Sequence, residues 1–515
     1  MRIFFRWLLC SLAAACFSTA ASAAWYEAKS RHFIIYADLD PSELKLYAER
    51  LERFDQAVRT VRAMEDPPLT DSQRLTIFGL KDEQAVGKLV GSSSILGFYM
   101  SSAAGNFAFV PRQQGFETQR AEVTAESVFF HEYAHHLQLS ATSAALPAWL
   151  TEGFAEFFGT AEIMDNGSVR IGSPPLDRQW SVQRYDGFTI NEMLGGTLRG
   201  MTRRDVASLY GRGWLLTHML TFDPARRGQL QRYLDGIQRG VDPLQSAKAA
   251  FGDDLRSVNR DLDSYLRQRS FNTLVVDGRK LSPGQAVLRP LRAGEAAAMD
   301  LTMRLRAGVD RKGADRAAAE ARNLAAMHPS EPVVHLVQGE AELEAKNYAA
   351  AEIAGRRAAT ANPKLAAALM VVGKARLELG RQNPAATDWK EVRSWFLRAN
   401  KLDPEDAEPL LYFYRAYVAA NAAPTANAIE GLLYAVTLAP RDERLKLEAT
   451  HQMVADNRIE EARKLFAPVA FYPHSAPEWR ETKGRIMQAL KDSDRMTALQ
   501  LLAAELKKRL EDEDK

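Results

Sequence analysis

The stretch FFHEYAHHLQL at positions 129–139, followed by LPAWLTEGFAEFFG at 146–159, gives the clearest indication of fold in this 515-residue chain. The first stretch is predicted to be helical, and its H-E-x-x-H pattern puts His131 and His135 one turn apart on one face. Two imidazoles placed in this way can bind one metal ion. Glu132 is rotated by about 100° from His131, which puts it beside such an ion, where it can act as general base on metal-bound water.

The second stretch is predicted to be a buried helix, because Pro147 suits a first turn, Gly159 suits an end, and the residues between them are mostly apolar. It contains two acids, Glu152 and Glu156, and buried carboxylates are costly unless they are paired or bind a metal. Catalytic zinc sites take three protein ligands and keep one position for water. Glu152 is the predicted third ligand, and the alternative makes Glu156 the ligand and Glu152 its support.

The two stretches together resemble the gluzincin metallopeptidases, specifically their peptidase MA-like branch, and the aminopeptidase N family has a similar W-L-x-E-G-F-A. The resemblance implies an α+β zincin (gluzincin-like) catalytic domain over residues 24–271, with Glu132 as the catalytic base. It also implies that Glu156 hydrogen-bonds and orients His131, as an acid does in thermolysin-like enzymes. By this resemblance the ion is Zn²⁺, and its ligands are His131, His135 and Glu152.

A third stretch, LYGRGWLL at 209–216, resembles the Y-x-K-G segment of the aminopeptidase N family. The resemblance implies that Tyr210 is catalytic and donates to the oxyanion of the tetrahedral intermediate. The alternative is a core tyrosine on an amphipathic helix. Arg212 is expected to be solvated, and His136 is expected to point away from the ion, either at the surface or in support of the site.

A hairpin is predicted at 97–110, and it precedes the metal-binding helix as the edge strand does in the gluzincin fold. An edge strand of this kind can bind an extended peptide by adding it to the sheet. Aminopeptidases have G-x-M-E-N in this region, and its acid captures the free amine of the substrate. This chain has no acid between Gly97 and Val110, so the prediction favours an endopeptidase. Strands are also predicted at 32–36 and 74–78, and a helix at 41–64.

The chain from about residue 295 is predicted to be helical, and it is rich in alanine and repetitive. Its prolines recur at Pro329, Pro363, Pro404, Pro440 and Pro473, which are 34, 41, 36 and 33 residues apart. A period near 34 is typical of tetratricopeptide helix pairs, and the longer interval indicates an insertion at 381–390. An all-α tetratricopeptide superhelix is therefore predicted over 295–490, with an unrelated alanine-rich bundle as the alternative. Its concave face suggests a protein or peptide partner.

Three further segments complete the predicted organisation. Residues 1–23 have two arginines, an apolar stretch and an A-S-A cleavage site, which predicts a secretory signal peptide and an exported chain, periplasmic or secreted. A retained signal anchor is the alternative, and Ala13, where a lipobox usually has Leu, argues against lipid attachment at Cys16. Residues 272–294 are predicted to be a linker, and residues 491–515 a C-terminal helix with an acidic tail.

Composition excludes several classes of protein. The chain is 46% hydrophobic and 26% charged, which is typical of a globular protein. Its 67 basic and 65 acidic residues give a net charge of +2, so no nucleic-acid partner is expected. No membrane span is expected after signal removal, and both cysteines fall within the signal, so no cysteine nucleophile or disulfide is expected.

The sequence thus predicts an exported zinc metallopeptidase-like hydrolase that acts on a peptide or protein substrate, with repeats that bind the substrate or a partner. The alternative is a tetratricopeptide scaffold for protein–protein interaction, whose zinc domain is inactive or weakly active. The intact Glu132 argues against this alternative, because an inactive domain has no need of a base.

Overall fold

The computed structural model describes residues 25–91, 97–112, 124–140, 142, 144–175, 181–182, 187–196, 201–470 and 477–513. The predicted signal peptide and both cysteines lie outside these residues. Within them, no helix combines the length and apolar character that a membrane crossing requires.

A mixed sheet of six strands forms the centre of the N-terminal half, with the strand order β4-β5-β3-β2-β1-β9. Strands β2, β3 and β5 are parallel, whereas β1, β4 and β9 run antiparallel to their neighbours. Three more strands form a small antiparallel sheet in the order β6-β7-β8. The described strands are β1 (Tyr26–Lys29), β2 (Phe33–Ala37), β3 (Leu75–Leu80), β4 (Phe98–Ser102), β5 (Gly105–Pro111), β6 (Glu162–Ile163), β7 (Val169–Ile171), β8 (Leu274–Val276) and β9 (Val287–Pro290).

Helices cover one face of the large sheet. Alternate strand residues such as Phe33 and Ile77 point into a core that the first helix shares with the predicted metal-binding helix. In that core, Phe54 stacks on Phe130 with ring centroids 3.9 Å apart. The helices of this half are α1 (Pro41–Arg62), α2 (Glu83–Val90), α3 (Ala125–Ser140), α4 (Ala148–Gly159), α5 (Ile190–Gly195), α6 (Arg203–Phe222), α7 (Gln229–Gln238), α8 (Pro243–Phe251) and α9 (Leu255–Leu266).

The C-terminal half is a series of helix hairpins. Small residues such as Gly339, Ala358 and Ala435 lie where neighbouring helices meet; a Cβ on Gly339 would be 2.7 Å from a methyl of Val371. The described helices are α10 (Ala293–Ala307), α11 (Arg311–Met327), α12 (Pro332–Glu344), α13 (Tyr348–Ala361), α14 (Ala366–Gln382), α15 (Trp389–Leu402), α16 (Ala407–Ala419), α17 (Ala426–Leu438), α18 (Glu443–Ala455), α19 (Ile459–Ala470), α20 (Pro477–Lys491) and α21 (Arg495–Glu513).

The first repeat helix also covers the second face of the large sheet. Met299 and Met303 on α10 pack against Phe78 and Phe109, which point away from the first core. The two halves of the chain therefore share a buried interface on the second face of the sheet.

The segment 272–294 differs from the linker that the sequence predicts. Strand β8 pairs with β7, and β9 pairs with β1 along its whole length, from Tyr26 opposite Pro290 to Lys29 opposite Val287. Pro283 and Gly284 lie in the connection between these two short strands. The segment is thus part of the N-terminal sheets, and the helical half begins directly after it.

Candidate metal centre

Helix α3 brings His131 and His135 together as its spacing predicts. The two Nε2 atoms are 3.2 Å apart, and Glu152 Oε2 on helix α4 lies 3.7 Å from His131 Nε2 and 3.4 Å from His135 Nε2. Zinc bonds of 2.0–2.2 Å at tetrahedral angles put neighbouring donor atoms about 3.3–3.5 Å apart. The triangle of two nitrogens and one oxygen therefore has the size and the chemistry of a three-ligand zinc site, and these residues fit the ion that the sequence predicts.

Close packing of α3 against α4 sets this triangle. A Cβ on Gly159 would lie 3.1 Å from the Cβ of His131, so a larger residue at this position would push against the metal-binding helix. Helix α4 is buried from Trp149 to Gly159, and Glu152 is only 1% exposed. A carboxylate so deeply buried is costly unless it is compensated, and a divalent cation would compensate it.

Glu156 lies on the other side of His131. Its Oε1 is 3.6 Å from His131 Nδ1, the ring nitrogen that points away from the triangle. Burial works to lower the pKa of His131, but the Glu152 and Glu156 carboxylates outweigh it and raise this pKa above its ordinary value. Burial lowers the pKa of His135. The positions of the two acids favour Glu152 as the zinc ligand and Glu156 as the acid that orients His131. Both roles stay predictions.

The predicted base, Glu132, lies beneath the β4–β5 hairpin. It lines a small cavity there together with Tyr99 of β4 and Tyr133 of its own helix. Strand β4 is at the edge of the sheet among the described strands, which is where the sequence places a peptide-binding strand. Glu132 therefore lies between the metal-binding helix and the sheet edge.

The position of Tyr210 depends on a close crossing of helices α4 and α6. A Cβ on Gly153 would be 2.4 Å from the carbonyl oxygen of Gly213, so only glycine allows the two backbones to approach this closely. The crossing puts the Tyr210 ring parallel to the His131 ring, with centroids 5.9 Å apart. The tyrosine thus lies beside a predicted zinc ligand.

The expectation that Arg212 is solvated is wrong. Its side chain is 2% exposed, and its guanidinium donates to Asn259 Oδ1 at 2.9 Å and to Asp263 Oδ1 at 2.8 Å on helix α9. A buried arginine needs such partners, and sequence spacing gave no sign of them because they lie 47 and 51 residues away. These hydrogen bonds connect helix α6 to helix α9.

His136 makes contacts that the sequence did not indicate. Its Nδ1 is 2.9 Å from the hydroxyl of Tyr99, and its ring stacks on Tyr133 at 5.4 Å between centroids. His136 therefore connects the metal-binding helix to the edge strand. One sequence feature could have predicted this contact. Tyr99 and Ser101 alternate in β4, which puts both on the face toward α3.

A second group of histidine and acids lies next to the first. His32 Nδ1 is 2.7 Å from Glu52 Oε2, and its Nε2 is 2.8 Å from Asp66 Oδ1. Asp55, also in this group, accepts from the hydroxyl of Tyr133 at 2.9 Å. Both ring nitrogens of His32 thus have carboxylate partners already, and the group acts as a buried ion-pair network that supports α3.

No family model and no curated protein matches the chain. Among solved structures, it is similar to a thermophilic TPR protein of Thermus thermophilus, with 17% identity and a TM-score of 0.29 over 34% of this chain and 90% of that one. It is also similar to yeast Tom70, with 13% identity and a TM-score of 0.25 over 76% of this chain and 79% of that one.

Proposed function

We propose that this chain is a zinc-dependent hydrolase that cleaves peptide bonds, and that its helical repeats bind the substrate or a protein partner. The observation that carries the proposal is the convergence of His131 Nε2, His135 Nε2 and Glu152 Oε2 within 3.2–3.7 Å of one another. Zinc held by these atoms would lower the pKa of a water molecule and polarise a carbonyl group.

The residues around the triangle supply the remaining chemistry. Glu132 takes the proton of the attacking water and returns it to the leaving amine. Tyr210, beside the His131 ring, donates a hydrogen bond to the carbonyl oxygen as it gains charge. Strand β4, which is at the edge of the sheet among the described strands, would pair with an extended peptide, and the absence of an acid between Gly97 and Val110 supports internal cleavage.

Metal content and cleavage test this proposal together. We expect about one zinc per chain by elemental analysis, lost in His131→Ala and kept in Glu132→Gln. A proteome-derived peptide library should be cut by the wild-type chain and not by Glu132→Gln. Cleavage by a zinc-loaded Glu132→Gln variant at the wild-type rate would remove Glu132 as the base, and a wild-type chain that binds no zinc would overturn the proposal.

A protein-interaction scaffold is the second candidate, and the helical half of the chain favours it. Stacked helix hairpins provide an extended concave surface for a peptide or protein. On this hypothesis the metal centre is structural or nearly inactive. Capture of the same partner by the wild-type chain, His131→Ala and Glu132→Gln, with no cleavage by any of the three, would favour the scaffold over the hydrolase.

A further inference from the structure

The last repeats reach the edge strand beside the candidate metal centre. The turn between α17 and α18 lies against the β4–β5 hairpin, where the backbone N–H of Ala103 donates to Asp442 Oδ2 at 2.8 Å. The guanidinium of Arg441 lies 4.5 Å from the centre of the Tyr99 ring. Residues more than 300 positions apart in the chain thus form one wall beside the predicted peptide-binding strand.

A cavity of about 210 Å³ lies at this junction. Tyr99 and Ser101 of β4 line it on one side, Leu139 of the metal-binding helix lines another, and Arg441 and Lys446 of the repeats line a third. One buried water needs roughly 10–15 Å³ by the same measure, so the cavity has room for a group much larger than water.

The cavity is lined by two cationic side chains, Arg441 and Lys446, and by one carboxylate, that of Glu443. Arg441 Nη1 is buried and has no hydrogen-bond partner among the described residues. Burial lowers the pKa of Lys446 to about 8, and the nearby Glu443 and Asp442 do not offset this effect.

Both of these carboxylates are engaged elsewhere. Glu443 lies 3.0 Å from Lys483 Nζ and 3.3 Å from Arg509 Nη2, and Asp442 accepts from the Ala103 amide. An anion in the cavity would therefore meet two cations and one carboxylate, and that carboxylate is already paired with Lys483 and Arg509.

Tyr99 connects this cavity to the candidate base. The same ring lines the small cavity that contains Glu132. Residues 99 and 101 of β4 share one face of the strand and are about 7 Å apart along it. A peptide that extends along β4 past Glu132 would thus carry its next few residues into the positively charged cavity.

We propose that this cavity binds a carboxylate of the peptide substrate, with Arg441 and Lys446 of the repeats as the binding residues. The carboxylate is either the C-terminal group or an acidic side chain close to the bond that is cleaved. The inference rests on the proposed function, because it takes the bound peptide to be the substrate. On this inference the repeats contribute directly to substrate specificity.

Direct binding tests the inference without any need for cleavage. Three matched octapeptide libraries would be equilibrated with the Glu132→Gln chain: one with free C-termini and no acidic residues, one amidated without acidic residues, and one amidated with a single Glu. Dialysis followed by mass spectrometry measures retention. We expect the first or the third library to be retained at least five-fold better than the second. Better retention of the first would identify the C-terminal carboxylate as the bound group, and better retention of the third would identify an acidic side chain.

Charge removal locates the binding site. We expect Arg441→Gln/Lys446→Gln, made in the Glu132→Gln chain, to abolish the preference. Arg463→Gln/Lys464→Gln is the matched control, since it removes two cations from the surface of α19, where Lys464 is exposed and Arg463 pairs with an exposed Glu460. Lys446→Met should raise the melting temperature while weakening retention, because it removes a cation that burial disfavours.

Three outcomes would overturn the inference: equal retention of all libraries, no retention of any, or a preference that survives in Arg441→Gln/Lys446→Gln. Failure of the proposed function would have a different signature. A chain that binds no zinc and cuts no peptide, but retains carboxylate peptides through Arg441 and Lys446, would keep the binding site and exclude the hydrolase.

Discussion

Two acids one helical turn apart have different surroundings, and the difference is open to measurement. Glu152 Oε2 faces the Nε2 atoms of both histidines, whereas Glu156 Oε1 faces His131 Nδ1. We expect Glu156→Gln to weaken zinc binding by about 10- to 100-fold, as the loss of a group that orients a ligand does. Glu152→Gln, which removes a ligand, should weaken it further.

Zinc competition with a chromogenic chelator measures both variants under the same conditions. Their order is the test, since the two variants make the same chemical change on the same buried helix. A larger loss in Glu156→Gln than in Glu152→Gln would exchange the roles of the two acids.

Two buried histidines have pKa values that are shifted in opposite directions. Burial works to lower the pKa of His32, but Glu52, Asp55 and Asp66 outweigh it and raise this pKa above 6.5. Burial lowers the pKa of His218 to about 4. The contribution of His32 to folding stability is thus complete below pH 6.5 and is lost as the pH rises through its raised pKa. His218 costs stability as the pH falls from 6.5 toward 4.

A pH titration of the histidine ¹⁵N signals measures these two pKa values directly. Signals missing from the spectra of His32→Gln and His218→Gln assign the two rings. We expect His32 to lose its proton only above pH 6.5 and His218 to stay neutral at pH 6. An apparent pKa of His32 below 6.5 would contradict the ion-pair network.

At the scale of elements, the crossing of α4 and α6 positions both Glu152 and Tyr210. A Cβ on Gly213 would lie 2.7 Å from the carbonyl oxygen of Trp149, a backbone atom that cannot rotate away. We expect Gly213→Ala to lower the free energy of unfolding by about 1–3 kcal/mol through overpacking, and to weaken zinc binding as α4 shifts. Urea denaturation and zinc titration measure the two effects.

Gly484 provides the matched control for this substitution. It lies within helix α20, and a Cβ there would have no atom within 4 Å. We expect Gly484→Ala to stabilise the chain by about 0.5–1 kcal/mol, because alanine has the higher helix propensity. Equal effects of the two substitutions would show that the crossing tolerates a side chain.

The elements that the sequence predicts well are those with a local signal. Apolar alternation predicts the hairpin at 97–110, and helical spacing predicts the helix at 41–64, each to within a few residues of the observed bounds. The H-E-x-x-H spacing predicts the two-histidine geometry for the same reason. The glycine crossing and the burial of Arg212 escape prediction, because their partners lie about 50 residues or more away in the chain.

At the scale of the whole molecule, the repeats contact the sheet both on its second face and at its edge. Helix α10 covers its second face through Met299 and Met303, and the α17–α18 turn reaches its edge through Asp442. The helices between these contacts therefore span from the face of the sheet to its edge. This route explains how a residue near position 440 comes to lie beside a strand near position 100.

The edge contact yields a prediction about the mobility of the hairpin. Asp442 caps helix α18 through the amide of Leu445 and also accepts from the amide of Ala103. Asp310 caps helix α11 through the amide of Gly313 and has no hydrogen bond to the hairpin among the described residues. Substitution by alanine removes a helix cap worth about 1 kcal/mol in either case. Only Asp442→Ala also removes the hydrogen bond that the Ala103 amide of the hairpin donates to the repeats.

Hydrogen exchange followed by mass spectrometry separates the two effects. Loss of one hydrogen bond worth about 1–1.5 kcal/mol corresponds to roughly tenfold faster exchange. We therefore expect peptides that cover 98–111 to exchange up to about tenfold faster in Asp442→Ala and to be unchanged in Asp310→Ala. Unchanged exchange in both variants would mean that the repeats do not hold the edge strand, and it would also remove the wall that the carboxylate-binding cavity requires.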